Sequence, residues 1–142
     1  MDCVAVLPIG HRLAKRKQVA AADLEGEAFV SFPLGSAPRE RIDRVLAAAG
    51  ARTRTVLESD LGASVCALVA AGLGVSVLNP LAALEERRNL ELAVRAFVPA
   101  IPVRLALLLP PDAPDSRLVS AFADQVRAVI ASDLEVIRPY RR

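Results

Sequence analysis

Three loops of the sequence carry hydroxyl, amide and carboxylate groups at places suited to bind a small ligand. The first loop contains Ser31, Pro33, Gly35 and Ser36, between an apolar run and an amphipathic helix. In an open α/β sheet, ligands bind beyond the carboxyl ends of the strands, where helices present free N–H groups. The hydroxyls would suit a ligand carboxylate, and Gly35 would let the backbone approach it closely. Ser36 acting only as a helix cap, and Ser31 only as a strand residue, fit the same pattern.

The second loop could bind either a negatively or a positively charged group, and the third loop contains an amide side chain. Ser59, Asp60 and, one turn later, Ser64 stand at the start of a helix, and Glu58 precedes them. Hydroxyl and free N–H groups would suit an anionic ligand, whereas the two acids would favour an ammonium group, so together they fit an amino-acid-like ligand. Plain capping, with the acids stabilising the helix dipole, is the alternative. Asn79 precedes a proline after the next strand, and we favour a helix cap there over a ligand contact.

The sequence carries no pattern that predicts catalysis or metal binding. His11 is the only histidine, and a structural hydrogen-bonding role is the favoured interpretation. There is no Ser/His/Asp order, G-x-S-x-G motif, P-loop or dinucleotide fingerprint. Cys3 and Cys66 both fall in apolar runs and are predicted to be buried thiols, which with one histidine cannot build a usual zinc site. We expect no catalytic residue, no metal and no cofactor.

Short apolar runs alternate with amphipathic helices along the chain. Ser36 and Gly50 bracket the first long helix, Ser59 or Asp60 caps the second, Asn79 the third, and Asp115 or Ser116 opens the last. The last helix has an apolar stripe of Val119, Phe122, Val126, Val129 and Ile130. This order predicts an α/β fold with a mostly parallel, helix-covered sheet. The strand candidates are residues 3–7, 28–32, 53–57, 74–78, 90–97 and 103–109.

The alternation changes at residues 97–102, where two strand candidates follow each other with two prolines and no helix between them. We interpret this stretch as a crossover between two lobes. The strand and helix after it form one βα unit, which cannot make a sheet or core alone. The unit therefore looks like the returning strand and helix of a second, truncated lobe.

Composition favours a folded, soluble and cytoplasmic protein. Of 142 residues, 54% are hydrophobic and 24% charged, and no apolar run approaches the roughly 18–20 residues of a membrane span. The N-terminus has neither the basic start nor the length of a signal peptide. The net charge of +2 is spread along the chain, so direct DNA binding by this chain is not expected.

Three segments in order resemble LysR-type transcriptional regulators. Residues 8–14 look like the P-x-G-H-x-L-A segment that opens their second lobe, and residues 22–30 resemble their A-D-L-x-G-E-x-F-V segment. Residues 69–75 are similar to their V-x-x-G-x-G-V turn from helix to strand. The resemblance covers residues 3 to 133. Residues 65–72 and 75–80 also look weakly like regulators of opine and amino-acid catabolism.

The resemblance implies a periplasmic-binding-protein-like effector domain with ligand bound between two lobes. Residues 1–8 would be a crossover strand, 9–96 the complete second lobe, 97–133 the hinge and C-terminal part of the first lobe, and 134–142 a tail. The family's winged helix-turn-helix, linker helix and first half of lobe one have no counterpart here. We therefore expect a part of a longer protein that reaches DNA only through a missing N-terminal domain.

The predicted function is small-molecule sensing rather than catalysis. The expected partners are an amino-acid-like or carboxylate effector and further copies of the same chain, as a homo-oligomer, with no membrane contact. An enzyme on the same α/β scaffold, or a solute-binding protein of a transport system, is the alternative, because fold alone does not fix function. An enzyme would need His11, Glu58 and Asp60 to converge.

Overall fold

A mixed β-sheet covered by helices forms the centre of the computed structural model, which describes residues 1–108 and 116–137. Strands and helices alternate in most of the chain, as predicted. The strands are β1 (Val4–Pro8), β2 (Gln18–Ala20), β3 (Ala28–Ser31), β4 (Arg54–Glu58), β5 (Ser76–Leu78) and β6 (Leu92–Val98). The α-helices are α1 (Ala37–Ala48), α2 (Gly62–Ala70), α3 (Pro80–Glu86) and α4 (Arg117–Ile137), and Arg12–Lys15 and Ala21–Leu24 form 3₁₀ helices.

The sheet is mostly parallel, as predicted, but β1 runs against the other five strands, which the sequence did not indicate. Four strands pair in the order β2-β6-β1-β5, and β1 runs antiparallel to both of its neighbours. The pairs β2–β6 and β3–β4 are parallel. A parallel bridge between Phe29 and Val75, with hydrogen bonds of 2.9 Å between Val75 and the backbone of β3, connects the two groups of strands. Continuous apolar runs indicate burial on both faces but carry no information on strand direction.

The predicted strand at residues 103–109 is not present. Residues 103–108 are not in a strand, and Leu105, Leu107 and Leu108 are exposed; Leu109 lies outside the described residues. No described strand pairs with this segment, and a strand needs a neighbour to satisfy its backbone hydrogen bonds. The short strand β2, which follows a run of basic residues, was not predicted.

Helix caps were predicted well where one polar side chain stands directly before the helix. The Ser36 hydroxyl accepts a hydrogen bond from Arg39 N (3.4 Å), and Asn79 Oδ1 accepts one from Leu81 N (2.9 Å). The second helix differs, because its N-cap is Leu61 rather than Ser59 or Asp60. The Ser59 hydroxyl instead accepts from the backbone N–H of Leu61 (3.3 Å), two residues before the N-cap position.

The last helix, α4, packs against α3 and does not bury its predicted stripe. Phe122 and Val129 are 64% and 59% exposed, whereas Ala123 and Ile137 are buried. The other three stripe residues are half-buried. The helix continues to Ile137, so the start of the predicted tail 134–142 is helical. Asp115 and residues 138–142 lie outside the described residues.

Two of the three segments that carry the family resemblance hold the 3₁₀ helices against the start of β3 through hydrogen bonds and ion pairs. His11 Nδ1 accepts from Leu13 N (3.3 Å), and His11 Nε2 lies 3.3 Å from Glu27 Oε2. Glu27 also forms an ion pair of 2.6 Å with Arg12. Asp23 accepts from the backbone of residue 20 (2.9 Å). The P-x-G-H and A-D-L-x-G-E segments are therefore structural, and His11 has the hydrogen-bonding role expected for it.

We expect Gly74→Ala to destabilise the fold, because a Cβ at this position would lie 2.6 Å from the carbonyl oxygen of Ala28. The added methyl would push β3 away from the bridge at Val75 and should cost about 1–3 kcal/mol of unfolding free energy. Urea denaturation measures the loss. Gly10→Ala is the control, since a Cβ there meets nothing within 4 Å. Equal stability of the two variants would contradict the role given to Gly74.

We expect Glu27→Ala to lower the free energy of unfolding by about 1 kcal/mol, because it leaves His11 and Arg12 without their shared carboxylate. The Glu27 side chain is 19% exposed, so its ion pairs are less screened than surface pairs. Glu85→Ala, which removes an ion pair between two side chains about 65% exposed, should cost less than about 0.5 kcal/mol. Urea denaturation of both variants compares the two costs, and an equal loss would argue against any advantage of the half-buried Glu27 carboxylate.

Candidate functional site

A cavity of about 310 Å³ lies where the carboxyl ends of β3 and β5 meet the first turns of three helices. Phe32 follows β3 and Leu78 ends β5, and both line this cleft cavity. The helices contribute residues from the start of α1, α2 and α3. This is the position at which open α/β sheets bind their ligands. The lining residues are Cys3, Phe32, Ala37, Pro38, Arg41, Ile42, Gly62, Leu78, Asn79, Ala82, Ile101 and Val103.

Gly62 allows α2 to begin close to α3 at the edge of the cavity. A Cβ on Gly62 would lie 3.0 Å from the Cβ of Ala82 and 3.6 Å from Leu78 Cδ1. The small side chain of Ala82 completes this close approach. The packing of two helix starts therefore sets the width of the cavity at this side.

Two extended segments form the opposite wall. Cys3 N donates to the carbonyl of Ile101 (2.9 Å), Val103 N donates to the carbonyl of Met1 (2.8 Å), and Asp2 bridges Pro102. These contacts continue the antiparallel pairing of β1 with β6 beyond the last residues of the sheet. Cys3, Ile101 and Val103 are thereby held against the cavity.

The cavity wall is mostly apolar, with Asn79 and Arg41 as its polar side chains. Asn79 Oδ1 is occupied by its cap hydrogen bond to Leu81 N, which leaves the amide NH₂ group to face a ligand. Burial raises the pKa of the Cys3 thiol to about 11, and the positive charge of Arg41 opposes this rise without cancelling it. The wall is therefore poorly solvated, and Arg41 is close enough to act on it electrostatically.

The predicted residues of the first loop surround the cavity without lining it. Ser36 caps α1, directly before Ala37, and Pro33 accepts a hydrogen bond from Ser36 N (3.1 Å) in the turn that contains Gly35. Gly35 has a φ of 80°, a conformation that favours glycine. Ser31 is buried, and its hydroxyl has no hydrogen-bond partner within the described residues.

The second predicted loop lies further from the cavity than the sequence suggested. Asp60 is exposed and Ser64 is half-buried in α2, and neither lines the cavity, nor does Ser59. Glu58 forms an ion pair of 2.8 Å with Arg39. Of the eight predicted ligand residues, Asn79 alone appears in the wall.

Sequence reasoning missed Cys3, Arg41 and Ile101 as cavity residues. An exposed arginine on a helix gives no signal of its own. Cys3 and Ile101 lie within the residues predicted as crossovers, and a cleft between lobes is necessarily lined by the segments that cross it. That placement was the available signal for these two residues.

Two observations concern metal binding and membrane spanning in the part of the chain that the structure describes. Within residues 1–108 and 116–137 no three His, Cys, Asp or Glu side chains come close enough together to hold a metal ion. None of the helices described is both long and apolar enough to span a membrane.

Comparison with known proteins identifies relatives among transcriptional regulators. A protein-family model described as the LysR substrate binding domain matches residues 2–131. The transcriptional activator protein LysR of Escherichia coli (strain K12) is 38% identical over 128 residues, covering 90% of this chain and 41% of the relative. The regulatory protein NocR of Agrobacterium tumefaciens (strain T37) is 36% identical over 137 residues, covering 96% of this chain and 44% of the relative. The chain thus spans less than half the length of these relatives.

Solved structures of regulatory domains share the fold. The CcmR regulatory domain of Synechocystis PCC6803, solved in complex with 2-PG, matches with a TM-score of 0.67 and 21% identity over 90% of this chain and 62% of that chain. HinK, a LysR family transcriptional regulator from Pseudomonas aeruginosa, matches with a TM-score of 0.65 and 21% identity over 89% of this chain and 45% of its own. At this level of identity the likeness concerns the fold alone.

We expect both cysteines of the folded chain to react slowly with a thiol-directed alkylating reagent at pH 8. Burial raises each thiol pKa from 9.0 to about 11, so the reactive thiolate should be about 100-fold scarcer than in the urea-unfolded chain. The rate should rise about tenfold per pH unit until the pH reaches the folded pKa, because the thiolate fraction rises about tenfold per pH unit below the pKa. Mass spectrometry of Cys3→Ala and Cys66→Ala assigns each rate. Equal rates in the folded and unfolded chains would contradict the burial.

Proposed function

The chain belongs to the LysR substrate-binding domain family, and from this premise we propose that it is the effector-sensing part of a transcriptional regulator. The regulators it resembles are more than twice its length, which supports DNA contacts made by another part of a longer protein. We further propose that this protein is cytoplasmic, where it reaches DNA, and that it works as a homo-oligomer. We also propose that residues 9–96 belong to one lobe of this sensing part, and that residues 97–133 supply the hinge and the returning part of the other lobe.

The cleft cavity is the observation that carries this proposal. Its volume falls within the range of small-molecule sites, and its apolar wall with few polar groups is typical of them. The cavity lies at the carboxyl ends of the strands and against both extended segments, 1–3 and 101–103. A ligand there would contact the lobe and the crossovers at the same time.

A small carboxylate with an apolar body fits the cavity best. Arg41 is the charged side chain in the wall, and Asn79 can donate a further hydrogen bond. No acidic side chain of the described residues lines the cavity, because Glu58 is paired with Arg39 and Asp60 lies outside the wall. An ammonium group would therefore lack a partner, which favours a simple carboxylate over an amino-acid-like effector.

Contact with the crossovers gives the ligand a route to the rest of the regulator. The segments 1–3 and 101–103 are held by a few backbone hydrogen bonds rather than by a wide sheet. A ligand that packs on Ile101 and Cys3 in one arrangement of the lobes better than in another shifts the population toward the first. Lobe closure is the motion that such hinges permit.

The hydrogen bonds and ion pairs of His11 and Glu58 argue against the alternative that this protein is an enzyme. His11 is hydrogen-bonded to Glu27 and Leu13, while Glu58 is paired with Arg39. His11 and Glu58 therefore contact different partners and not each other, whereas the enzyme alternative requires them to converge. The relatives LysR and NocR are regulators, which supports the same conclusion.

A screen of small aliphatic and aromatic carboxylates tests the proposal. A ligand at a hundredfold excess over its Kd should raise the stability of the chain by about 2.7 kcal/mol, measured as a thermal shift. The same ligand should slow alkylation of Cys3, which lines the cavity, more than that of Cys66, which does not line it and is protected only by the gain in stability. A thermal shift without protection of Cys3 would place the ligand elsewhere.

Asn79→Asp separates ligand contact from capping. Aspartate keeps the oxygen that accepts from Leu81 N, and so preserves the cap, but replaces the NH₂ donor by a negative charge. We expect unchanged stability and at least about tenfold weaker carboxylate binding, which corresponds to about 1.4 kcal/mol. Asn89→Asp, an exposed position away from the cavity, is the matched control. Equal affinities for the two variants would remove Asn79 from the site.

A further inference from the structure

A second groove, of about 420 Å³, lies between α1 and the segment 100–104 and carries three arginines. We name it the arginine groove. Arg41 and Ile101 line both the arginine groove and the cleft cavity, so the two spaces are neighbours on either side of these residues. The lining residues are Arg41, Arg44, Val45, Ala100, Ile101, Pro102 and Arg104.

Local structure brings the three arginines to the wall of one groove. Arg41, Arg44 and Val45 are three and four residues apart on α1 and share one face of the helix. Arg104 follows the crossover, whose position is fixed by the pairing of Ile101 with Cys3. The apolar side chains of Val45, Ile101 and Pro102 form the remaining wall.

These arginines lack the acidic partners that others on the same helix have. Arg39, two residues before Arg41, is paired with Asp43 and Glu58 at 2.6 Å and 2.8 Å. Among the described residues, no acidic side chain forms an ion pair with Arg41, Arg44 or Arg104. This includes Glu40, which lies one turn before Arg44 on α1. No acidic residue among those described lines the groove.

Three like charges around one concave space repel each other, and an anion placed between them would remove that repulsion. Guanidinium groups bind carboxylate and phosphate in a two-pronged geometry that a lysine cannot reproduce. The volume of the groove is that of a small-molecule site.

We propose that the arginine groove binds a small compound with two or more negative charges, supplied by carboxylates or phosphates. This site is separate from the cleft cavity and does not depend on the effector proposed for it. Its occupant would contact Ile101 on the side of the crossover that faces away from the effector.

Isothermal titration with citrate and with pyrophosphate, at constant ionic strength, tests the site on this chain. Saturable binding of one molecule per chain is expected for at least one of them, and acetate at equal ionic strength should not compete. Binding of pyrophosphate alone would identify a phosphate ligand, and binding of citrate alone a polycarboxylate. The double variant Arg44→Ala/Arg104→Ala should weaken the binding at least about tenfold.

The matched control is Arg52→Ala/Arg54→Ala, which removes the same charge from exposed positions outside the groove. It should change the affinity less than about twofold. An equal loss in both double variants would show general electrostatic attraction and overturn the site. Absence of saturable binding by either probe would also overturn it, and so would binding of a DNA duplex or a second chain in place of both anions.

A structural failure of the variant is distinguished by the cleft itself. Arg44 and Arg104 do not line the cleft cavity, so a cleft carboxylate should protect Cys3 in Arg44→Ala/Arg104→Ala as in the unchanged chain. Loss of citrate and pyrophosphate binding with Cys3 protection intact supports two sites. Urea denaturation shows whether Arg44→Ala/Arg104→Ala is folded, and loss of both bindings in a variant of unchanged stability would mean that the groove is not a separate site and would overturn the proposal.

Discussion

The antiparallel pairing of β1 with β6 is the interaction on which the rest of the structure depends. Five residues of β1 pair in register with β6, from Val4 opposite Ala96 to Pro8 opposite Leu92. β1 then carries β5 on its other side, and β6 carries β2, so the central sheet is assembled on this one pair. The first four residues of β1 are fully buried, as expected for a strand covered on both faces. The same pairing, continued by residues 1–3 and 101–103, supplies a wall of the cleft cavity and one side of the arginine groove.

The energetics of the cleft follow from an apolar wall with charge at its edge. Burial raises the pKa of the Cys3 thiol despite the nearby guanidinium of Arg41, so desolvation outweighs a single opposite charge there. A ligand carboxylate that lost its water in this cavity would face the same cost. It gains enough in return only where the guanidinium of Arg41 or the amide of Asn79 reaches it. The apolar body of a ligand gains from the remaining wall, and both parts together fix its orientation.

Sequence reasoning succeeded where a local rule decides the structure and failed where a distant partner decides it. The caps at Ser36 and Asn79 follow from one polar side chain beside a helix start, and both were predicted. The stretch 58–61 contains several polar residues in a row, and the helix began after an apolar one, Leu61, which no local rule favours. The direction of β1 and the absence of a strand at residues 103–108 depend on which strands are available as neighbours. Arg41 could not be distinguished from other exposed arginines, because its role depends on the crossover that lies beside it.

The two sites proposed for this domain are connected by the residues that they share, and electrostatics gives the sign of that connection. Arg41 lines both spaces, so its single positive charge would be shared between an anion in the arginine groove and an anion in the cleft. Two anions on either side of Arg41 and Ile101 also repel each other. Both effects weaken the second ligand when the first is bound, and by linkage the weakening is mutual. Contact of both ligands with Ile101 acts on the same short crossover. A groove anion would therefore oppose the effector at its binding site while bearing on the segment through which the effector acts.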